Sequence, residues 1–482
     1  MRVNLFHPST THQQAGYLVV LVLVFGGIFM VIISGFIGFV VTQSQVVNQR
    51  LALEQAGEVA EAGLNYYRWY LAHNPSDVTA GTGTPGPYVF PYEDPELGVI
   101  GEFSLAIAST TYCGAVSSID VTATGVVYSD PSVQRTVSAR YTQPTIAEYA
   151  FILNADVWAG ADRIITGPYH NNNGIRMDGR NDSVVSSVQT SWTCTNSFGC
   201  SPTQTVDGVW ASPSSNANTA LFSFPASLIQ FANIDGDIDL MRDRAINGGG
   251  IHIPGTNEDG YWVIFNANGT VTIREVTNTY SYTAENSTGT FTERNIIQSY
   301  STVGTYPINP SCPLIFVEDK VWLEGVVGAK VTIAAASTTD GIDQSIILEG
   351  NITYNNPETD GLLVLAEHDV LLGVEVPNDM TVNGIFVAQG GRYGRNHYTY
   401  SRLPNPPGPT NYKPYYDRNS LTMIGTVVSN GRVGTQWVSS GSFISGFRNR
   451  TNSFDRNLVD DPPPLLPSTS EVYDFVRWRE VE

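Results

Sequence analysis

Between His12 and Arg50 the chain carries no Asp, Glu, Lys, Arg or His. The core of this stretch, Tyr17 to Val41, is a run of 25 mostly apolar residues. The hydrocarbon core of a bilayer takes roughly 20 residues of helix, so the run can cross with some tilt. Gly26, Gly27, Gly35 and Gly38 would weaken a helix in water, but lipid tolerates them. A cleaved secretory signal has a shorter apolar core, about 7–15 residues, followed by small residues at the cut. Val41-Thr42-Gln43-Ser44 does not fit that pattern, so the run reads as a single-pass membrane anchor. Only Arg2 and Arg50 flank it, and the positive-inside rule decides little. Orientation follows from what comes next: a large acidic, Thr- and Asn-rich segment that reads as lying outside the cytoplasm.

That segment belongs to a chain of 482 residues, too long for one ordinary core. Its 25 basic and 45 acidic residues leave a net charge of −20, which argues against nucleic acid as a partner. Charged residues make up only 15%, while Gly (45) and Tyr (24) are abundant, a composition suited to strands and tight turns.

Beyond the apolar run, Leu53, Ala56, Ala60, Leu64, Tyr67 and Leu71 recur at steps of three and four, one stripe of an α-helix. His73-Asn74-Pro75 ends it. One helix of roughly residues 14–72 therefore starts in the membrane and projects from it. Alternation in 102–107, 119–124 and 135–141 predicts a small antiparallel sheet, with a turn at Ser129-Asp130-Pro131-Ser132.

From about residue 146 the pattern changes to short β-branched runs broken by Gly, Asn and Asp. Examples are Ile164-Ile165-Thr166-Gly167, Lys330-Val331-Thr332-Ile333-Ala334 and Ile346-Ile347-Leu348-Glu349-Gly350. Strands this short suit a coil that turns after each one, a right-handed parallel β-helix, better than a sandwich with regular hairpins. The fold class is thus mostly β. Its expected parts are a leader at 1–16, a transmembrane and stem helix at 17–72, a small β-rich region at 73–145, a β-helix-like domain at 146–455, and a Pro-rich closing tail at 456–482.

Asp235-Gly236-Asp237-Ile238-Asp239 invites a calcium reading, but an EF-hand needs Glu at its twelfth position and Ile246 stands there. Ile234, Ile238, Met241 and Ala245 instead predict a short amphipathic helix within an insertion near 231–246, the ion site being the lesser alternative. Cys194 and Cys200 bracket a short polar loop and form a candidate disulfide; two separate buried thiols are the bland alternative. Cys113 and Cys312 receive no pairing. Pro404–Pro414 and Pro462-Pro463-Pro464, with a closing strand at 472–478, are expected to cover the open end of the coil.

Gln14-Ala15-Gly16-Tyr17-Leu18-Val19-Val20, with Ala60-Glu61-Ala62-Gly63-Leu64, resembles the stem of PilX-type minor pilins. The runs at 316–325 and 330–334, with 454–458, 462–464 and 478–480, resemble β-helical domains fused to such stems. The resemblance implies leader processing between Gly16 and Tyr17 and packing against other pilin-like subunits through the N-terminal helix. It covers the stem over about a tenth of the chain. Pilins usually carry a Glu near the start of the apolar helix; the matching position here is Leu21.

Parallel β-helices also host polysaccharide lyases and glycoside hydrolases. Those need converging carboxylates, for which Asp156, Asp162, Asp178 and Asp182, interleaved with Arg163, Arg176 and Arg180, are the candidates. Acids at turns serve the backbone often enough to explain them. No Gly-x-Ser-x-Gly, phosphate loop, dinucleotide fingerprint or His-Glu-x-x-His occurs, and the seven histidines show no metal spacing. No cofactor, metal or catalytic residue is assigned. The expectation is a noncatalytic envelope protein used for display, adhesion or assembly. Its partners would be pilin-like subunits, membrane lipid, and surface glycans or other cells. A membrane-anchored lyase or hydrolase is the alternative.

Overall fold

The computed structural model describes residues 14–481 apart from 76, 232–236, 338–343, 407–409, 440 and 471. The long helix α1 spans Gln14–His73, 60 residues and about 90 Å at 1.5 Å per residue. It begins inside the stretch read as a leader. Every side chain from Tyr17 to Leu51 is exposed, and burial begins at Ala52. The buried stripe is Ala52, Ala56, Val59, Ala60, Leu64, Tyr67 and Leu71. Leu53 is only half-buried: the helix is turned so that Ala52 and Val59 meet the sheet in its place.

The sheet is an antiparallel meander of β1 (Tyr88–Asp94), β2 (Gly98–Tyr112), β3 (Ala115–Val127) and β4 (Gln134–Thr142). Its inner face supplies Phe103, Leu105, Val121, Ala123 and Tyr141 to one core with the helix stripe. The backbones approach closely at Gly125, where a Cβ would lie 2.2 Å from Ala56 O and 2.5 Å from Ala60 N. Tyr141 Oη donates to Leu64 O at 2.7 Å, satisfying a phenol buried among apolar groups. A fifth strand, Asp474–Val481, adds antiparallel to β4. This corrects the role expected for the tail. The closing strand does not cap the coil; it pairs with the free edge of the first sheet, where Arg68 and Arg135 meet Asp474 and Glu480.

The remainder is built from parallel ladders around one apolar core. In the longest, Ile251–Ile253, Leu314–Val317, Lys330–Ala335, Gly361–Ala366, Asp379–Ala388, Asp417–Ser429, Phe151–Leu153, Tyr169–Asn171, Val185–Ser187 and Phe222–Ser223 pair in that order, each pair parallel. A second ladder stacks Gly260–Asn266, Val321–Val327, Ile346–Tyr354, Val370–Leu372 and Tyr393–Gly394. In a third, Asp417–Ser429 continues to Ser442–Ser453, Arg163–Thr166 and Arg180–Asn181. Within the longest ladder the first strand in sequence, Phe151–Leu153, thus lies in the middle, against the last in sequence, Asp417–Ser429. The two ends of the longest ladder, 222–223 and 251–253, are neighbours in sequence.

The connection between those ends, residues 224–250, explains the insertion. Strand Gly361–Ala366 is buried at every residue, so its ladder needs cover on its outer face as well. Ile229 and Phe231 with Met241 and Ala245 of α2 (Ile238–Asn247) supply that cover, over Ile152, Phe316, Leu363, Ile385 and Val428. Asp237 caps α2 by accepting from Leu240 N at 2.8 Å; Ile234, Asp235 and Gly236 lie outside the described residues. The proline run joins the same cover. Leu458, Leu465 and Leu466 pack into the cluster, and Thr332 Oγ1 donates to Pro464 O at 2.5 Å. It shields a face, not an end. At the other proline-rich loop, Leu403 and Tyr412 bury against Tyr282, Ile296 and Tyr398 near a long hairpin of Thr270–Asn286 and Gly289–Pro307.

Candidate functional site

Two regions could carry function: the exposed half of α1, and the domain of parallel ladders, here termed the coil. Among the described residues α1 is the one helix long and apolar enough to cross a membrane. The consecutive apolar side chains Leu18, Val19, Val20, Leu21, Val22 and Leu23 are all exposed, so the apolar surface runs round every side of the helix. A helix apolar all round needs lipid or other helices around it. Of the two candidate processing residues, Gly16 lies within α1 and Tyr17 is exposed. Leu21, the position where pilins usually carry an acid, faces outward with the rest.

In the coil, the structure commits the acids singled out from sequence to holding turns and side chains. Asp178, buried, accepts from Arg176 Nε at 2.8 Å, Trp158 Nε1 at 2.9 Å and Ser212 N at 2.9 Å. Arg176 is itself stacked on Trp158 and Trp210 and donates to Phe198 O. Asp162 accepts both arms of Arg450, at 2.8 and 2.7 Å. Asp182 and Asp156 accept the backbone N–H of Gly167 and Gly174, each at 2.9 Å. Arg163 is buried and donates to Asn452 and Thr435, and Arg180 is exposed. Among the described residues no three His, Cys, Asp or Glu side chains converge to hold a metal ion.

All four cysteines are bridged. Cys194 joins Cys200 beside Trp192, and Cys113 joins Cys312 across 199 residues of sequence. The second bridge ties the β2–β3 turn to the loop before Leu314–Val317, next to a hydrogen bond from Cys113 N to Ser311 O at 2.9 Å.

Sequence reasoning missed a buried polar layer where the hairpin meets the coil. Glu349 is buried with Oε2 unpaired, and Glu293 accepts from Asn295 Nδ2 at 2.8 Å and Asn396 Nδ2 at 2.7 Å. Arg395, fully buried, donates to the backbone oxygens of Gly373, Val374 and Tyr415. Burial, reinforced by Glu375 and Glu324, holds the Glu349 carboxyl well above the usual carboxylate range, while Arg395 opposes it. Burial raises Glu293 as well, against the hydrogen bond from Asn396. A signal was present in the repeat Leu323-Glu324-Gly325 and Leu348-Glu349-Gly350. Each Glu reaches over a glycine of the next turn, with Gly350 and Gly373 leaving the room a Cβ would fill 2.2 Å from Glu324 Oε2 and Glu349 Oε2.

No protein-family model matches the chain, and no curated protein matches it. Among solved structures it is similar to the competence-associated pilin ComZ from Thermus thermophilus, at 12% identity and a TM-score of 0.25, covering 89% of this chain and 97% of that one. A TM-score of that size is too low for the likeness to bear on function.

Proposed function

We propose that the protein is a noncatalytic, pilin-like subunit of the cell envelope, held by α1 and displaying the coil outside the cytoplasm. The observation that carries this is the division of α1 into two halves. One is apolar on all sides and exposed from Tyr17 onward; the other buries a stripe on a four-stranded meander. The same helix can thus sit in lipid and then among the helices of other pilin-like subunits. The parallel ladders support reading the coil as a right-handed parallel β-helix, a surface for adhesion to glycans or other cells. Residues 1–16 are then a leader, cut between Gly16 and Tyr17. The commitment of Asp156, Asp162, Asp178 and Asp182 to structural partners supports a noncatalytic role.

At Leu21 an apolar side chain buries among helices without an unpaired charge. Without the acid that aligns subunits, this chain suits a tip or initiating position better than the shaft. Fractionating sheared filaments from membranes, with immunogold labelling, tests the reading. Sparse label at filament ends or on the cell surface is expected. Dense label along shafts overturns the minor role, and protein found only in the soluble fraction without trimming overturns the anchor.

A further inference from the structure

An open pocket of about 560 Å³ lies on the coil beside strand Asp417–Ser429, walled by Tyr400, Tyr416, Asn378, Asn419, Arg418 and Arg448. Arg448 is occupied: Nε and Nη2 donate to the two oxygens of Asp417 at 2.9 and 2.6 Å. Arg418 is not. It is only 8% exposed, its Cζ sits 3.9 Å from the centre of the Tyr415 ring, and its Nε is buried with no partner. Among the described residues its guanidinium has no hydrogen bond and no ion pair. Burial and the nearby Arg395 pull its pKa down to about 10, so it stays charged at neutral pH. A guanidinium has five N–H donors in a planar fork that matches a carboxylate. Burying it without an acceptor is costly, and a ligand can supply what the chain does not.

We propose that this pocket binds an acidic glycan, the carboxylate of a uronic-acid unit pairing with Arg418. Sugar rings would lie on Tyr400 and Tyr416, and hydroxyls would meet the amides of Asn378 and Asn419. Of the two lining arginines Arg418 is the unpaired one, and Lys413 Nζ stands 5.4 Å from the centre of the Tyr400 ring, an arrangement that suits a carboxylate. Pro414 and the Asp417 carboxylate, the latter held by Arg448, complete the lining. Because the whole chain carries a net charge of −20, general attraction of polyanions does not account for such binding. The site adds a ligand class to the display reading and rests on it only for the coil's exposure outside the cytoplasm.

Calorimetry on the full chain in detergent tests it, with oligogalacturonate, its methyl ester, oligoalginate and oligoglutamate as probes. A uronate oligomer should bind, and either methyl esterification or Arg418→Gln should weaken oligogalacturonate by about tenfold or more. Tyr400→Ala, which removes an exposed ring, should weaken it about threefold or more with the fold intact. If Arg418→Gln fails to fold by circular dichroism, the ester and Tyr400→Ala decide. No binding of either uronate, or equal binding of acid and ester, overturns the site; oligoglutamate bound as tightly overturns the sugar class. Filament fractionation is blind to these results, so either reading can fail alone.

Discussion

Glu349 sits under the hairpin with one oxygen unpaired, among Glu324, Glu375, Glu293 and the buried Arg395. Its folded pKa lies above its unfolded one. It therefore contributes stability that is complete below the ordinary carboxylate range and is lost as pH rises through the raised folded value. Glu293, raised by burial too, works in the same direction. Glu349→Gln keeps the side chain's volume over Gly373 and removes the charge. It should raise stability at neutral pH by about 1–3 kcal/mol, the ionisation penalty that the raised carboxyl pKa represents. The gain should shrink toward pH 4, where the wild-type carboxyl is neutral. Melting temperature followed from pH 4 to 8 checks this, and a gain that does not vary with pH would contradict it. Asp178 differs in its partners: three donors surround it, so its burial is matched. Asp178 was visible in sequence as an acid at a turn, and Glu349 only as a member of a strand-like run. Their difference was not, because it depends on which turns stack beside them.

The helix α1 and β3 touch most closely at Gly125, where the sheet has no side chain between its backbone and Ala56 and Ala60. Gly125→Ala places a methyl group inside that contact. Overpacking of this kind costs about 1–3 kcal/mol. The loss should be local: hydrogen exchange should quicken in residues 52–71 and in β3, while the parallel ladders keep their protection. Unchanged exchange in the stem would mean the helix docks less tightly than the geometry shows. At this scale much was legible, since a helical stripe or an alternating strand records which face is buried. The stripe from Ala56 to Leu71 and the runs at 102–107, 119–124 and 135–141 all lie in the first core or its strands. Partners were not legible. Nothing local in Phe151–Leu153 says that it stacks on Val427–Ser429, or that residues 224–250 must link the two ends of one ladder. The proline tail was misread for the same reason: stiffness can be read from sequence, but the apolar outer face it covers appears only once the ladder is assembled.

Among the described residues, a disulfide, the hydrogen bond from Cys113 N to Ser311 O and contacts between the two crossing segments join the first sheet to the parallel ladders. The chain passes between them near Thr145, Ile146 N donates to Pro467 O at 3.3 Å, and Thr145 bridges to Ser468. Of the two disulfides, Cys113–Cys312 spans 199 residues, whereas Cys194–Cys200 spans 6. If loop closure in the unfolded chain governs their worth, the long bridge contributes on the order of 5 kcal/mol and the short one about 2 kcal/mol. Replacing both cysteines of each bridge by Ser should therefore lower the melting temperature more for the 113/312 pair than for the 194/200 pair. The long-bridge variant should also become sensitive to limited proteolysis near residues 144–146 and 467–470, where the two units join. The short-bridge variant should stay resistant there, because its loop lies within the coil. Equal losses in the two variants would mean that contacts around Trp192 matter as much as chain entropy. An unreduced mass with all four thiols alkylatable would remove the premise itself. A bridge that couples sheet to coil has a mechanical consequence as well. A pull on the displayed coil would reach α1 through a covalent link between β2–β3 and the ladder, in addition to the segment at 142–150 and the edge strand Asp474–Val481.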